Sequence, residues 1–159
     1  MTADTMMTLR QCAFFEEFQP RHMDKLMTLG SELRFQKDEI IFREDQESGL
    51  FYVILSGRVG LEANVGGRLF AVQTLFAGEE LGWSALFHGR RQFQARALEP
   101  VEAMSFEITR LRDACAANPY FGCALLERMF RVVAERLETT RTELLKALAA
   151  FQAPGAARR

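Results

Sequence analysis

The sequence predicts a mainly β protein with flanking helices: seven or eight short strands closed into a barrel or jelly-roll, then one long helix. Three observations carry this. From Leu33 to Ile108, short apolar runs are separated by Gly, Asp and Asn, the pattern of strands joined by tight turns. On either side of that stretch the apolar residues recur at helical spacing. The chain has 159 residues, 48% of them hydrophobic and 14 of them Phe, enough for one well-filled domain of ~100–200 residues and too apolar to be disordered.

Residues 1–11 are polar and Met-rich without steady periodicity, and are expected to be a flexible start. Phe14, Phe15 and Phe18, then Met23, Leu26, Met27 and Leu29, predict two short helices divided at Pro20, which lacks the amide hydrogen a continuing helix needs. Strands follow. Glu39–Phe42 is one, and Leu50–Leu55 is a continuous apolar run suited to burial on both faces. Val59, Leu61, Ala63 and Val65 alternate with polar residues or Gly60, a half-buried strand. Gly66-Gly67 joins it to Leu69–Leu75 by a hairpin turn that demands positive φ. Phe93–Leu98 and Val101–Ile108, split by Glu99-Pro100, form a second hairpin.

Arg110–Ala116 then predicts a short helix, and Asn118-Pro119 the start of the longest one, with Asn as cap and Pro in the first turn. Phe130, Leu137, Leu144 and Phe151 lie seven apart, and Leu126, Val133, Thr140 and Ala147 form a second series offset from it. This a/d heptad fits either a paired coiled coil or a helix lying on its own barrel. The expected organisation is therefore a flexible segment 1–11, a jelly-roll with N-terminal helices over 12–117, a long dimerisation helix over 118–151 and a flexible tail over 152–159.

Charge and cysteine content exclude several classes. Twenty Lys and Arg face 21 Asp and Glu, a net charge of -1, without the basic field of a general nucleic-acid binder. No apolar run reaches the ~20 residues of a membrane span, and the N-terminus lacks a signal-peptide pattern, so a cytoplasmic location is expected. Cys12, Cys115 and Cys123 are odd in number and widely spaced, which argues for free thiols over disulfides or a zinc site. Glu79 and Glu80 are adjacent, so in a strand they point to opposite faces and cannot act as an acid–base pair. No nucleophile motif, metal box or P-loop is present, and the protein is expected not to be an enzyme.

Phe35-Gln36-Lys37-Asp38-Glu39-Ile40-Ile41-Phe42 is similar to an F-x-K-G-E-x-I-F motif, and Leu50-Phe51-Tyr52-Val53-Ile54-Leu55-Ser56-Gly57-Arg58-Val59 to an L-Y-x-I-x-x-G-x-V hairpin. Over residues 12–150 the chain resembles the cyclic-nucleotide-binding domains of the catabolite-activator and fumarate-nitrate-regulator type, as a stand-alone single-domain member. The resemblance implies an eight-stranded jelly-roll, or double-stranded β-helix, with a long C-terminal dimerisation helix. Asp38 and Asp45 stand where the family has glycine, and Asp is among the residues that tolerate left-handed turns.

In that family a phosphate-binding cassette reads G-E-x-x-G-E-L/M-x-L, then a short helix and an Arg followed by a small residue. The resemblance implies that backbone N–H groups and the Arg hold a cyclic phosphate while the acid accepts from the ribose 2′-hydroxyl. Here the stretch is Gly78-Glu79-Glu80-Leu81-Gly82-Trp83-Ser84-Ala85-Leu86, then Phe87-His88-Gly89-Arg90-Arg91-Gln92-Phe93. Gly78 and Gly82 match. Arg91 matches the phosphate-binding position counted back from Ala97, with Arg90 its rival. Trp83 replaces the ribose acid and offers a donor in place of an acceptor, which costs an ordinary cyclic nucleotide about one to two orders of magnitude in affinity. The indole is either a plug or a stacking platform. Gln92 stands where the family has a small or hydroxyl residue. On the long helix Thr140 matches a purine-contacting hydroxyl, and also suits a d position without any ligand. His88 has no second ligand to suggest haem, and the cysteines lack the clustering of iron–sulfur sensors.

The expected ligand site is thus Gly82, Trp83, Ser84, Arg91, Gln92 and Thr140, taking cAMP, cGMP or another small anion. The expected function is a regulatory sensor that signals as a homodimer to an effector protein. The alternative is a degenerate relative that binds no nucleotide and serves as a dimeric interaction subunit. Eight residues follow Phe151, too few for a winged helix, so neither direct DNA binding nor membrane association is expected.

Overall fold

The structure is a computed structural model that describes residues 3–15, 18–47, 49–87 and 90–152. Two compact units divide it at Gly122. The first carries helix α1 (Ala3–Gln11), a 3-10 turn (Ala13–Phe15) and helix α2 (Pro20–Met27). Strands β1 (Gly30–Phe35), β2 (Ile40–Phe42), β3 (Leu50–Ser56), β4 (Val59–Val65), β5 (Arg68–Leu75) and β6 (Glu80–Leu81) follow. A single helical turn α3 (Ser84–Phe87), strands β7 (Gln94–Ala97) and β8 (Val101–Glu107), and helix α4 (Ile108–Ala117) complete it. Helix α5 (Pro119–Gln152) starts in this unit and supplies all the described residues of the second.

The eight strands make two antiparallel four-stranded sheets, ordered β1-β8-β3-β6 and β2-β7-β4-β5. This is the jelly-roll the turn spacing predicts. Six of its strands coincide with the predicted apolar runs; β1 is not among them, and β6, only two residues long, lies inside the cassette, where it pairs Leu81 with Tyr52 and Glu80 with Val53. Phe42, Tyr52, Ile54, Val59, Leu61, Leu75, Leu81, Ala95, Ala97, Val101 and Ala103 fill the space between the sheets. Full burial of each large side chain among them contributes about 1.5–3 kcal/mol. Along β4 and β7 the inward residues alternate with outward ones, so Leu61 and Ala95 point in while Glu62, Gln94 and Arg96 share the outer face.

The turn chemistry follows the sequence. Gly66 and Gly67 both have positive φ, 60° and 83°, and close the β4–β5 hairpin. Asp38 and Asp45 adopt φ of 69° and 60° in place of the family's glycines. Asn118 caps α5 by accepting from the Phe121 amide at 3.2 Å.

Three expectations change. The helix expected from Phe14, Phe15 and Phe18 is a 3-10 turn over Ala13–Phe15. The first eleven residues, expected to be flexible, contain α1, and its Leu9 is fully buried; one well-anchored apolar residue gives no period to read. In α5 the buried residues are Phe121, Leu125, Met129 and Val132, a stripe distinct from the heptad series. The heptad residues Phe130, Leu137, Leu144 and Phe151 are exposed, from 59% to 85%. The expected tail falls outside the described residues except for Gln152, which closes α5. Among the described residues no helix is long and apolar enough to cross a membrane, and no cluster of metal-ligating side chains occurs.

Candidate functional site

The cassette is anchored before its turn begins. The Ile54 amide donates to Glu79 O at 2.9 Å and the Gly78 amide to Ile54 O at 2.8 Å. The Glu79 carboxylate accepts from the Phe76 amide at 2.7 Å, which commits that acid to the turn. Glu80, its neighbour, is buried. Gly82 then takes φ of 82°, a conformation costly for any residue with a Cβ. It turns the chain into α3, where the Ala85 amide donates to Gly82 O at 3.1 Å. Trp83 is half-buried on the turn, and Ser84 is buried as the first residue of α3.

Arg91 lies directly against this turn. It is 2% exposed, and its Nη1 donates to Gly82 O at 2.8 Å while Nη2 donates to Leu50 O. The guanidinium carbon stands 4.1 Å from the centre of the Phe42 ring and 5.8 Å from that of Tyr52. Charge-assisted bonds of this kind contribute about 1.5–3 kcal/mol each, and a desolvated cation–π contact about 2 kcal/mol. Burial pushes the Arg91 pKa down to about 10, opposed by the Tyr52 hydroxyl, so the group remains a cation at neutral pH. The Tyr52 hydroxyl is pushed up by burial, and Arg91 opposes the shift. The backbone of Arg91 is held as well: its amide donates to Gln46 O at 3.1 Å and its carbonyl accepts from the Asp45 amide at 2.9 Å.

The two arginines sit in different surroundings. Arg90 is exposed and pairs with Glu47 at 3.9 Å on the surface, a contact worth little; Arg91 is the one at the cassette. Gln92 is exposed. Thr140 belongs to the second unit, where it is exposed and its hydroxyl donates to Arg136 O at 2.8 Å. Buried Arg91 therefore meets Gly82 through its guanidinium, with Trp83 and the buried Ser84 next along the same turn. His88 lies outside the described residues. All three cysteines are free, and burial pushes the Cys12 thiol up to about 11 and raises that of Cys115.

Two features escape sequence reasoning. Phe42 and Tyr52, the rings beneath Arg91, lie 49 and 39 positions upstream, and only the strand register brings them there. On the outer face, Glu62 accepts from Gln94 Nε2 at 2.7 Å and from Arg96 Nε at 3.2 Å, and Arg43 reaches Gln94 at 3.5 Å. Beside this network opens a concavity of about 390 Å³ lined by Arg43, Glu44, Asp45, Asn64, Leu69 and Gln94. None of the expected site residues lines it, and its polar groups largely satisfy one another, so it is not the cassette's ligand space.

An eight-stranded antiparallel jelly-roll with a glycine turn, a one-turn helix and an arginine beneath them is the architecture of regulatory ligand-sensing domains. The family model of the cyclic nucleotide-binding domain matches residues 32–118, more than half of the chain, and the chain belongs to that family. A cyclic nucleotide-binding domain from Methylobacillus flagellatus is similar at 16% identity and TM-score 0.80, covering 91% of this chain and 82% of that one. The catabolite activator protein of Thermus thermophilus follows at 22% identity and TM-score 0.72, covering 87% of this chain and 63% of that one. The regulatory domain of Toxoplasma gondii PKA, crystallised with cAMP, is similar at 18% identity and TM-score 0.61, covering 71% and 42%. Likeness at these identities establishes the fold alone. No curated protein sequence matches the chain.

Proposed function

We propose that the protein is a non-enzymatic regulatory sensor that takes a small anion at Gly82, Ser84 and Arg91 and signals as a homodimer to an effector protein. The observation that supports this is the contact of Arg91 Nη1 with Gly82 O at 2.8 Å: a guanidinium stands at the turn whose counterpart in the family receives a phosphate. The homodimer would form through the exposed heptad face of α5, because Phe130, Leu137, Leu144 and Phe151 have no reason to remain in water. Ordinary cAMP or cGMP fits this cassette poorly. Trp83 offers no acceptor to a ribose hydroxyl, and both terminal nitrogens of Arg91 already donate to main-chain carbonyls.

A second reading is favoured by those same two features: a degenerate domain that binds no nucleotide and acts as a dimeric interaction subunit. Trp83, the single tryptophan, separates the readings. Titration with cAMP, cGMP and inorganic pyrophosphate, followed by Trp83 fluorescence and melting temperature, should give a saturable response to at least one anion. The cyclic nucleotides should act about 10- to 100-fold more weakly than in a cassette with a carboxylate at that position. Both signals staying flat to millimolar concentration with all three would leave only the interaction subunit.

A further inference from the structure

Gly82 and Leu50 belong to different segments, the cassette turn and the first residue of β3. One guanidinium bonds to both, Nη1 to Gly82 O and Nη2 to Leu50 O, and rests on the Phe42 ring from β2. The same residue's backbone is fixed to the β2–β3 loop through Gln46 O and the Asp45 amide. A Cβ on Gly82 would collide with Nη1, so the turn and the guanidinium are fitted to each other. Between the segments that Arg91 joins runs a strand pairing of only two residue pairs, β3 with the two-residue β6. A ligand-holding arginine in a sensor is expected to point its donors at the ligand space. This one points two of them at its own chain.

We propose that Arg91 is an internal clasp. It fastens the cassette turn to β3 and reinforces the short β3–β6 pairing. An anion that draws Nη1 and Nη2 to itself in a bidentate pair releases the Gly82 and Leu50 carbonyls, so ligand engagement of that kind loosens this joint. The second half rests on the anion-sensor reading; the first half does not. The device differs from a pre-opened anion seat, in which binding would only tighten the cassette.

Hydrogen exchange of the full chain without ligand tests the clasp, in wild type, Arg91→Gln and Phe42→Leu. Amides of residues 50–54 and 78–82 should exchange about tenfold faster in Arg91→Gln, the change that losing one charge-assisted hydrogen bond produces. Phe42→Leu keeps both bonds and removes the ring; it should accelerate the same amides by a smaller factor. Wild-type exchange in both variants would overturn the clasp. Should Arg91→Gln not fold, Phe42→Leu decides alone. In a second arm, wild type is exposed to pyrophosphate and, separately, to cAMP. Whichever shifts the melting temperature should speed exchange at 50–54 and 78–82, and slower exchange there would overturn release by ligand. If neither anion acts, the sensor reading fails, and the ligand-free arm still decides the clasp.

Discussion

The barrel and the far end of α5 solve the same problem in opposite ways. Inside the barrel, Tyr52, Ile54, Val59, Leu61, Leu75 and Leu81 are at most 4% exposed, and even the cation Arg91 is enclosed and bonded. Beyond Arg136 every described residue of α5 whose burial is known is exposed, its leucines and Phe151 included. A jelly-roll closes on itself, so one chain suffices to cover its apolar surface. A single helix has no second layer, and amphipathic helices draw most of their stability from what they pack on. The lesson is that one molecule completes the cassette's scaffold, whereas the helix stripe needs something further, which the proposed homodimer supplies.

That contrast can be broken first at Gly82. Gly82→Ala forces a Cβ into φ of 82° and against Arg91, a sum of backbone strain and overpacking of about 3 kcal/mol. Urea unfolding should show that loss as a lower midpoint with an unchanged slope; an unfolding free energy within about 0.5 kcal/mol of wild type would mean the turn is looser than described.

A smaller effect concerns His22, which sharpens the comparison because it is a buried polar group within the first unit. It is 5% exposed, and neither ring nitrogen has a hydrogen-bond partner among the described residues. Its ring lies edge-on to Phe18 and Phe121 at 6.3 and 6.0 Å. Burial, helped by Arg21, lowers its pKa from 6.5. As pH falls through 6.5 the unfolded chain gains a proton that the folded chain resists, so stability declines until the lowered folded value is reached. Thermal melts between pH 7.5 and 5 should show this decline, and His22→Phe should flatten it. An identical acid limb in the variant would assign the decline to other groups.

Much of this was legible in the sequence because turns announce themselves. Gly66-Gly67, Asp38 and Asp45 mark left-handed positions, and the apolar runs between such punctuation are six of the eight strands, all but β1 and β6. Gly82, Ser84 and Arg91 were readable as one cassette through the resemblance. What stayed hidden depends on register. Nothing local ties Arg91 to Leu50, Phe42 or Tyr52, and Glu62, Gln94 and Arg96 meet only once β4 and β7 align. In α5 the heptad was the longer pattern, and it drew attention from Phe121, Leu125, Met129 and Val132, whose ordinary helical spacing over three turns gives the stripe that is in fact buried. Period identifies an apolar face without saying what covers it.

The covering of the helix face is tested most directly by sedimentation equilibrium of the full chain at micromolar concentration. Wild type should sediment at twice the chain mass of 18.1 kDa, and Leu137→Asp should lose that species, leaving monomer or insoluble protein. A wild-type mass of one chain at every concentration, or a soluble dimer that survives Leu137→Asp, would contradict the proposed homodimer.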